Sequence, residues 1–168
     1  VSVTVNAADL AGNRMTAEEY SFAIRSNPNP PHHLEFVQQP TDTDAGDSIT
    51  PAPTVRALDS GNRLVANSSA SITMAIGTNP SGGTLSGTAT QSAVNGVATF
   101  PGLSINKVGD NYTLTANSGV LGGATSSGFD IDLGPASQLV FTTQPVGDTE
   151  GNPFTTQPVV EVQDAAGN

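Results

Sequence analysis

Across 168 residues the chain carries 5 Lys and Arg against 15 Asp and Glu, a formal charge of −10, with no Cys and no Trp. That field repels phosphate backbones and anionic lipid surfaces, which excludes nucleic acid as the expected partner; without Cys there are no disulfides, thiolate nucleophiles or Cys-ligated metals. No run approaches the ~18 apolar residues of a membrane span, and the first residues have neither basic flank nor apolar h-region. No membrane insertion is expected in this segment, and any export signal or anchor is expected outside it. Sparse aromatics, with Ser, Thr, Gly, Asn and Pro between short apolar runs, predict an all-β chain without helices.

In residues 1–26, Val1, Val3 and Val5 alternate, and after a loop Tyr20, Phe22 and Ile24 alternate again, as half-buried strands do. The loop Asp9-Leu10-Ala11-Gly12-Asn13 is read as a tight turn, because Asp bonds its own backbone while Gly and Asn tolerate positive φ. Asn27-Pro28-Asn29-Pro30-Pro31 can form neither ladder nor helix and makes residues 27–32 a semi-rigid Pro-rich linker.

Residues 33–133 read as one complete two-sheet β-sandwich of about six or seven short strands. Leu34 to Val37 is the first, and Val55 and Ala57 put Arg56 outward in the second. Ile72, Met74 and Ile76 alternate with Thr73 and Ala75, and the hairpin dipeptide Asn95-Gly96 leads into Val97-Ala98-Thr99-Phe100. Tyr112, Leu114 and Ala116 alternate with Thr113 and Thr115; Phe129, Ile131 and Leu133 alternate with Asp130 and Asp132. Tyr112, after Gly109-Asp110-Asn111, stands where sandwiches carry a tyrosine whose hydroxyl bonds back across a corner, a structural role.

Gly134-Pro135-Ala136-Ser137 makes residues 134–137 a second, shorter linker, and beyond it the sequence repeats. Leu34-Glu35-Phe36-Val37-Gln38-Gln39-Pro40 returns as Leu139-Val140-Phe141-Thr142-Thr143-Gln144-Pro145. At an offset of about 105 residues, Gly46 pairs with Gly151, Pro53 with Pro158, Val55 with Val160 and Asp59 with Asp164; with one inserted residue, Gly61-Asn62 then pairs with Gly167-Asn168. A period of that size is a whole domain. Residues 1–26 therefore read as the last strands of an upstream domain and 138–168 as the first strands of a downstream repeat.

The order Leu34-x-Phe36-x-x-Gln39-Pro40, Gly83-Thr84-Leu85-Ser86-Gly87, Asn95-Gly96-Val97-Ala98-Thr99-Phe100, Tyr112-Thr113-Leu114-Thr115-Ala116 resembles bacterial Ig-like repeats. These are tandem domains of large secreted or surface-attached proteins, invasin- and intimin-like adhesins among them. The opening, Val1-Ser2-Val3-Thr4-Val5 through Asp9-Leu10-Ala11-Gly12-Asn13 to Tyr20-Ser21-Phe22, resembles the end of a different Ig-like type found in S-layer and other surface proteins. The resemblance implies an Ig-like fold, an extracellular or cell-surface location and no shared catalytic residues.

Candidate chemistry is limited to carboxylates. Asp42, Asp44 and Asp47 crowd a loop around Gly46, repeated as Asp148 and Glu150 before Gly151, and such packing could wrap Ca²⁺, which takes six to eight oxygens. The spacing is not that of an EF-hand, and a solvated acidic loop is the competing reading. Asp130 and Asp132, outward beside the linker, could hold an inter-domain Ca²⁺ or keep an edge strand from pairing. His32 and His33 with Glu35 offer no preset metal geometry and read as solvent-exposed. A Ser nucleophile lacks a positioned His, and paired carboxylates lack a cleft. Lys107, the only Lys, reads as an exposed turn residue and not as half of an isopeptide crosslink. Asn67-Ser68-Ser69 and Asn111-Tyr112-Thr113 fit the glycosylation pattern by chance, and Leu58-Asp59-Ser60 is a turn.

The expected function is thus a non-enzymatic stalk, fibre or surface-layer segment without a cofactor, Ca²⁺ being the one candidate. Its partners would be neighbouring Ig-like modules of the same chain or of adjacent subunits. The partial domains at either end are expected to be completed by a longer polypeptide or by neighbours through β-strand complementation into a filament. Readings of another class are an adhesion module binding Ca²⁺, a glycan or a host receptor, and an accessory module of a secreted polysaccharide hydrolase.

Overall fold

The computed structural model describes residues 2–5, 18–21, 29–147 and 149–168. Among these the chain is all-β, with no helix. β1 (Ser2–Val5) and β2 (Glu18–Ser21) pair antiparallel, Val3 opposite Tyr20. The Asp9–Asn13 loop, Phe22, Ile24, Asn27, Pro28 and Asp148 lie outside the described residues.

The central segment opens with β3 (His33–Gln38), β4 (Thr43–Asp44), β5 (Thr54–Leu58) and β6 (Ser71–Ile76). There follow β7 (Leu85–Ser86), β8 (Thr90–Ser92), β9 (Val97–Thr99), β10 (Ser104–Ile105) and β11 (Gly109–Tyr112). β12 (Leu114–Ser118), β13 (Leu121–Thr125) and β14 (Phe129–Asp132) complete it. Seven of these strands form one sheet in the order β8-β6-β12-β13-β3-β5-β9, β11-β14-β4 form a second, and β10-β7 a short third.

The long sheet consists of two antiparallel groups, β8-β6-β12-β13 and β3-β5-β9, joined only where Gly122 of β13 lies parallel to His33 of β3. Its two ends are consecutive in the chain: the hairpin at Asn95 and Gly96 links β8 to β9, with Val94 and Val97 exchanging backbone bonds of 2.8 and 3.1 Å. Both turn residues have positive φ, 51° and 80°, the condition of the two-residue turn that matches strand twist and the reason Asn-Gly occupies it. The sheet therefore nearly closes on itself.

Period-2 alternation places the core. Leu34 and Phe36 of β3, Val55 and Ala57 of β5, Ala98 of β9, Ile72 and Met74 of β6, Leu114 and Ala116 of β12, and Phe129 and Ile131 of β14 are all buried in one cluster. Both strand groups and the small sheet thus share a single core. Tyr112 lies at its centre, fully buried, its ring 6.3 Å from Phe129 and its hydroxyl donating to the Lys107 carbonyl at 2.9 Å. The predicted corner bond is present. The run from Tyr112 to Ala116 is two strands, however: Tyr112 pairs with Phe129 in the small sheet, whereas Leu114 pairs with Ile76 in the large one. Leu133 is exposed, because β14 ends one residue before it.

The downstream segment forms β15 (Gln138–Thr143) and β16 (Val159–Gln163), an antiparallel pair. Its register repeats that of the central segment: Leu139 faces Val162 and Phe141 faces Val160, as Leu34 faces Ala57 and Phe36 faces Val55.

Truncating Leu114 to Ala is expected to cost about 3 kcal/mol in urea unfolding, as a filled core site does, and Tyr112→Phe about 1 kcal/mol for one lost hydrogen bond. Val120→Ala, at a residue 97% exposed, is expected to change stability by less than about 0.5 kcal/mol.

Candidate functional site at the junction of the repeats

Two aspartates are nearly removed from solvent, Asp59 at 1% and Asp164 at 2% exposure, in turns whose other residues are exposed or half-buried. Each follows the second long strand of its copy, β5 or β16, and each builds the same loop. The Asp59 carboxylate accepts from the amides of Gly61 at 2.8 Å and Arg63 at 3.0 Å. Asp164 accepts from Ala166 at 2.9 Å and Asn168 at 2.8 Å. Backbone bonds close both loops in the same way: Asp59 N to Arg63 O and Asn62 N to Asp59 O, then Asp164 N to Asn168 O and Gly167 N to Asp164 O.

This bond-by-bond match corrects the sequence alignment. Arg63 corresponds to Asn168, Asn62 to Gly167 and Gly61 to Ala166, so the offset runs on without an inserted residue. The physical reason is the backbone: Asn62 and Gly167 have φ of 59° and 84°, and Asn and Gly are the residues that tolerate that region. Aligning identical letters instead of left-handed positions shifts the loop by one.

The second oxygen of each carboxylate reaches the linker before its own segment. Asn29 Nδ2 donates to Asp59 Oδ2 at 3.2 Å, and the Gly134 amide donates to Asp164 Oδ2 at 3.3 Å. Asn29 and Gly134 are again equivalent positions of the repeat. A single carboxylate therefore staples the entry of a segment to the far end of that segment's second strand.

The downstream turn also docks on the central segment. Asn168 Nδ2 donates to the Asn106 carbonyl at 3.1 Å. Ala166 packs against the central core cluster, and a Cβ on Gly46 would sit 3.4 Å from the Ala166 Cβ. Gly46 has φ of +87°, and the loop carrying it is tied to the core by Gly46 N to Ile105 O and Ile49 N to Leu103 O, both 2.8 Å. The socket is thus a rigid part of the central segment.

The Arg63 amide lowers the Asp59 pKa, with help from Asn29, Gly61 and the Arg63 charge and against the opposing effect of burial. The Asn168 amide lowers that of Asp164, helped by the Asn168 side chain, Gly134 and Ala166, again against burial. Donors aimed at a carboxylate favour its charged form.

The five calcium candidates lie on the β4–β14 pair and the loops adjoining it, and the carboxylates of two of them accept backbone amides. Asp42 Oδ1 accepts from the Asp130 amide and Asp130 Oδ1 from the Asn111 amide, both at 2.8 Å. Asp44 lies opposite Asp132 in the parallel β4–β14 pair, and the Asp47 amide closes the Gly46 turn onto Asp44 O. Among the described residues no group of three or more His, Asp or Glu is placed to hold a metal ion. His32 is exposed and His33 half-buried, their Nδ1 atoms 3.4 Å apart. Glu35 instead pairs with Arg56, its register partner, at 2.9 Å on an exposed face, a pair worth under about 1 kcal/mol. Lys107 is half-buried and offers its carbonyl to Tyr112.

An open groove of about 520 Å³ lies between linker residues Asn29–Pro31 and the stretch Asn67–Ala70, with Val120 and Leu121 on its far side. No titratable side chain lines it, so it holds no acid–base or nucleophilic pair. Sequence patterning marks Asp59 as an ordinary turn residue and does not place Ala166 and Asn168 against the central segment. The recurrence of Asp after the second strand, with Gly46 and Asn29 or Gly134 at fixed offsets, was the available signal. No protein-family model matches this chain, and no curated protein matches it.

Because both aspartates have lowered pKa values, the stability they provide is complete above the ordinary carboxylate value of about 4 and is lost as pH falls through the depressed values. Melting curves of the unmodified chain and of Asp59→Asn are expected to differ by several degrees at pH 7 and to converge in acid. A gap that persists unchanged below pH 3 would show that the carboxylate charge is not what holds the turn.

Proposed function

We propose that this chain is a non-catalytic, tandem Ig-like segment of a large bacterial extracellular or cell-surface protein, serving as stalk, fibre or surface-layer material. The observation that carries this reading is the junction. The same carboxylate-centred turn recurs at the same place in successive copies, staples each copy to its linker, and in the downstream copy seats Ala166 and Asn168 on the copy before it. A recurring turn that in the downstream copy docks on the copy before it sets spacing and orientation along a string, which is the mechanical task of a stalk.

Other features agree. The corner bond of Tyr112 and two antiparallel strand groups sharing one core support an Ig-like sandwich for residues 33–133. The acidic, Thr- and Ser-rich exterior keeps a long string solvated and separate from its neighbours. The groove at Asn29–Pro31 lacks the groups that chemistry needs. In the acidic loop the Asp42 carboxylate accepts the Asp130 amide, and the Gly46 turn is closed by the backbone bond from Asp47 N to Asp44 O, which supports the solvated-loop reading over calcium.

Pulled from its ends, the chain is expected to lose the central module in one discrete event that releases about 350 Å of contour for ~100 residues at ~3.5 Å each. Gradual extension without a discrete event would contradict a mechanical role. Addition of millimolar Ca²⁺ or of a chelator is expected to leave the melting temperature unchanged; a rise with Ca²⁺ would restore the ligand-binding reading.

A further inference from the structure

The two copies differ most in what covers their inward faces. Leu34, Phe36, Val55 and Ala57 are between 0 and 7% exposed, whereas their counterparts Leu139, Phe141, Val160 and Val162 are 71, 52, 45 and 65% exposed. Three of the four residues are identical. The strand registers match, and both pairs slip register at the same place, after Phe36 and after Phe141. In the central copy this face is covered by Ile72 and Met74 of β6, Leu114 and Ala116 of β12, and Phe129 and Ile131 of β14, all contributed by residues 64–133.

We infer that the exposed face of β15–β16 is the docking surface for a polypeptide segment with the strand pattern of residues 64–133, which closes over it as those residues close over β3–β5. The inference rests on the tandem-module reading and adds what the downstream strands bind. The occupant is polypeptide because the edges as well as the face need partners. β5 has β9 on its outer edge, Thr54 opposite Thr99 and Val55 opposite Ala98, and β3 has β13 on its own. The corresponding edges of β16 and β15 have no strand partner among the described residues. A small apolar ligand or a lipid surface covers side chains and leaves such ladder groups unmet, whereas strands satisfy both.

The turn match defines the test. Since Asn168 occupies the place of Arg63, a second stretch with the sequence of residues 64–133 can be joined directly after Asn168 of the intact chain. The expected result is a monomer in which amide exchange across residues 138–163 slows by on the order of 100-fold, the protection of a closed module over a fraying pair. Phe141→Asp in the extended chain is expected to abolish that protection while the central module keeps its own. Val162→Ala, which makes the inward quartet identical to that of the first copy, removes crowding as a reason for failure. No slowing in the Val162→Ala extension overturns the inference. So does a concentration-dependent dimer of the unextended chain that Phe141→Asp dissociates, because a second copy is then the occupant. If exchange fails to slow while the Asn168–Asn106 contact stays formed, the tandem reading stands and the docking inference alone falls.

Discussion

A carboxylate taken out of water needs hydrogen-bond donors on every side, and at Asp59 and Asp164 those donors come from two places in the chain. One oxygen gathers the amides of the turn, and the other reaches back to the linker that precedes the segment. The linker is thereby fixed relative to the second strand, and the second strand is fixed to the first by its ladder. Without the carboxylate, the turn amides and the linker would have no common anchor, and the entry angle of each segment would be left to proline stiffness alone.

From that anchor the junction follows. The Asp164 turn holds Asn168 and Ala166 in position, and the preceding copy presents Asn106 O and the bare Gly46 backbone to receive them. A Cβ at Gly46 would touch Ala166, and the positive φ of Gly46 disfavours a side chain there. The Gly46 loop is itself bonded to the Leu103–Ile105 backbone, so orientation passes from the core of one copy to the turn of the next through short, saturated contacts. In the proposed stalk these contacts are what keeps neighbouring modules from swinging independently. The downstream loop repeats the socket's backbone: Gly151 has φ of +86°, and Asn152 N bonds Thr149 O as Asp47 N bonds Asp44 O.

Much of this was legible in the sequence wherever a local rule sufficed. Alternation found β3, β5, β6 and β14, Asn95-Gly96 found the hairpin, and Tyr112 found its corner because the residue type has few other ways to be buried. What escaped was set by contacts between distant stretches. β13 carries Gly122 and Gly123, poor strand residues, because His33 and Asn117 approach them closely. Ile49, Leu103 and Ile105 are fully buried yet sit in or beside loops without periodicity. The sheets divide differently from a simple two-layer reading because Thr113 lies between strands that belong to different sheets. The pairing of β4 with β14, which brings Asp44 opposite Asp132, and the backbone amides held by the Asp42 and Asp130 carboxylates are long-range features that composition does not reveal. The junction is hidden because its contact joins residues 62 apart in the chain, Asn168 and Asn106, neither of which stands in a periodic run.

The most direct test of a fixed junction is the distance distribution between spin labels on a chain that has no native Cys, one at Val94 of the central segment and one at Thr142 of β15, both exposed. A single narrow distribution that broadens when Asn168→Ala and Ala166→Asp are introduced together is the predicted result. A distribution already broad in the otherwise unmodified chain, or one that the two substitutions leave narrow, would contradict a junction held by the aspartate turn.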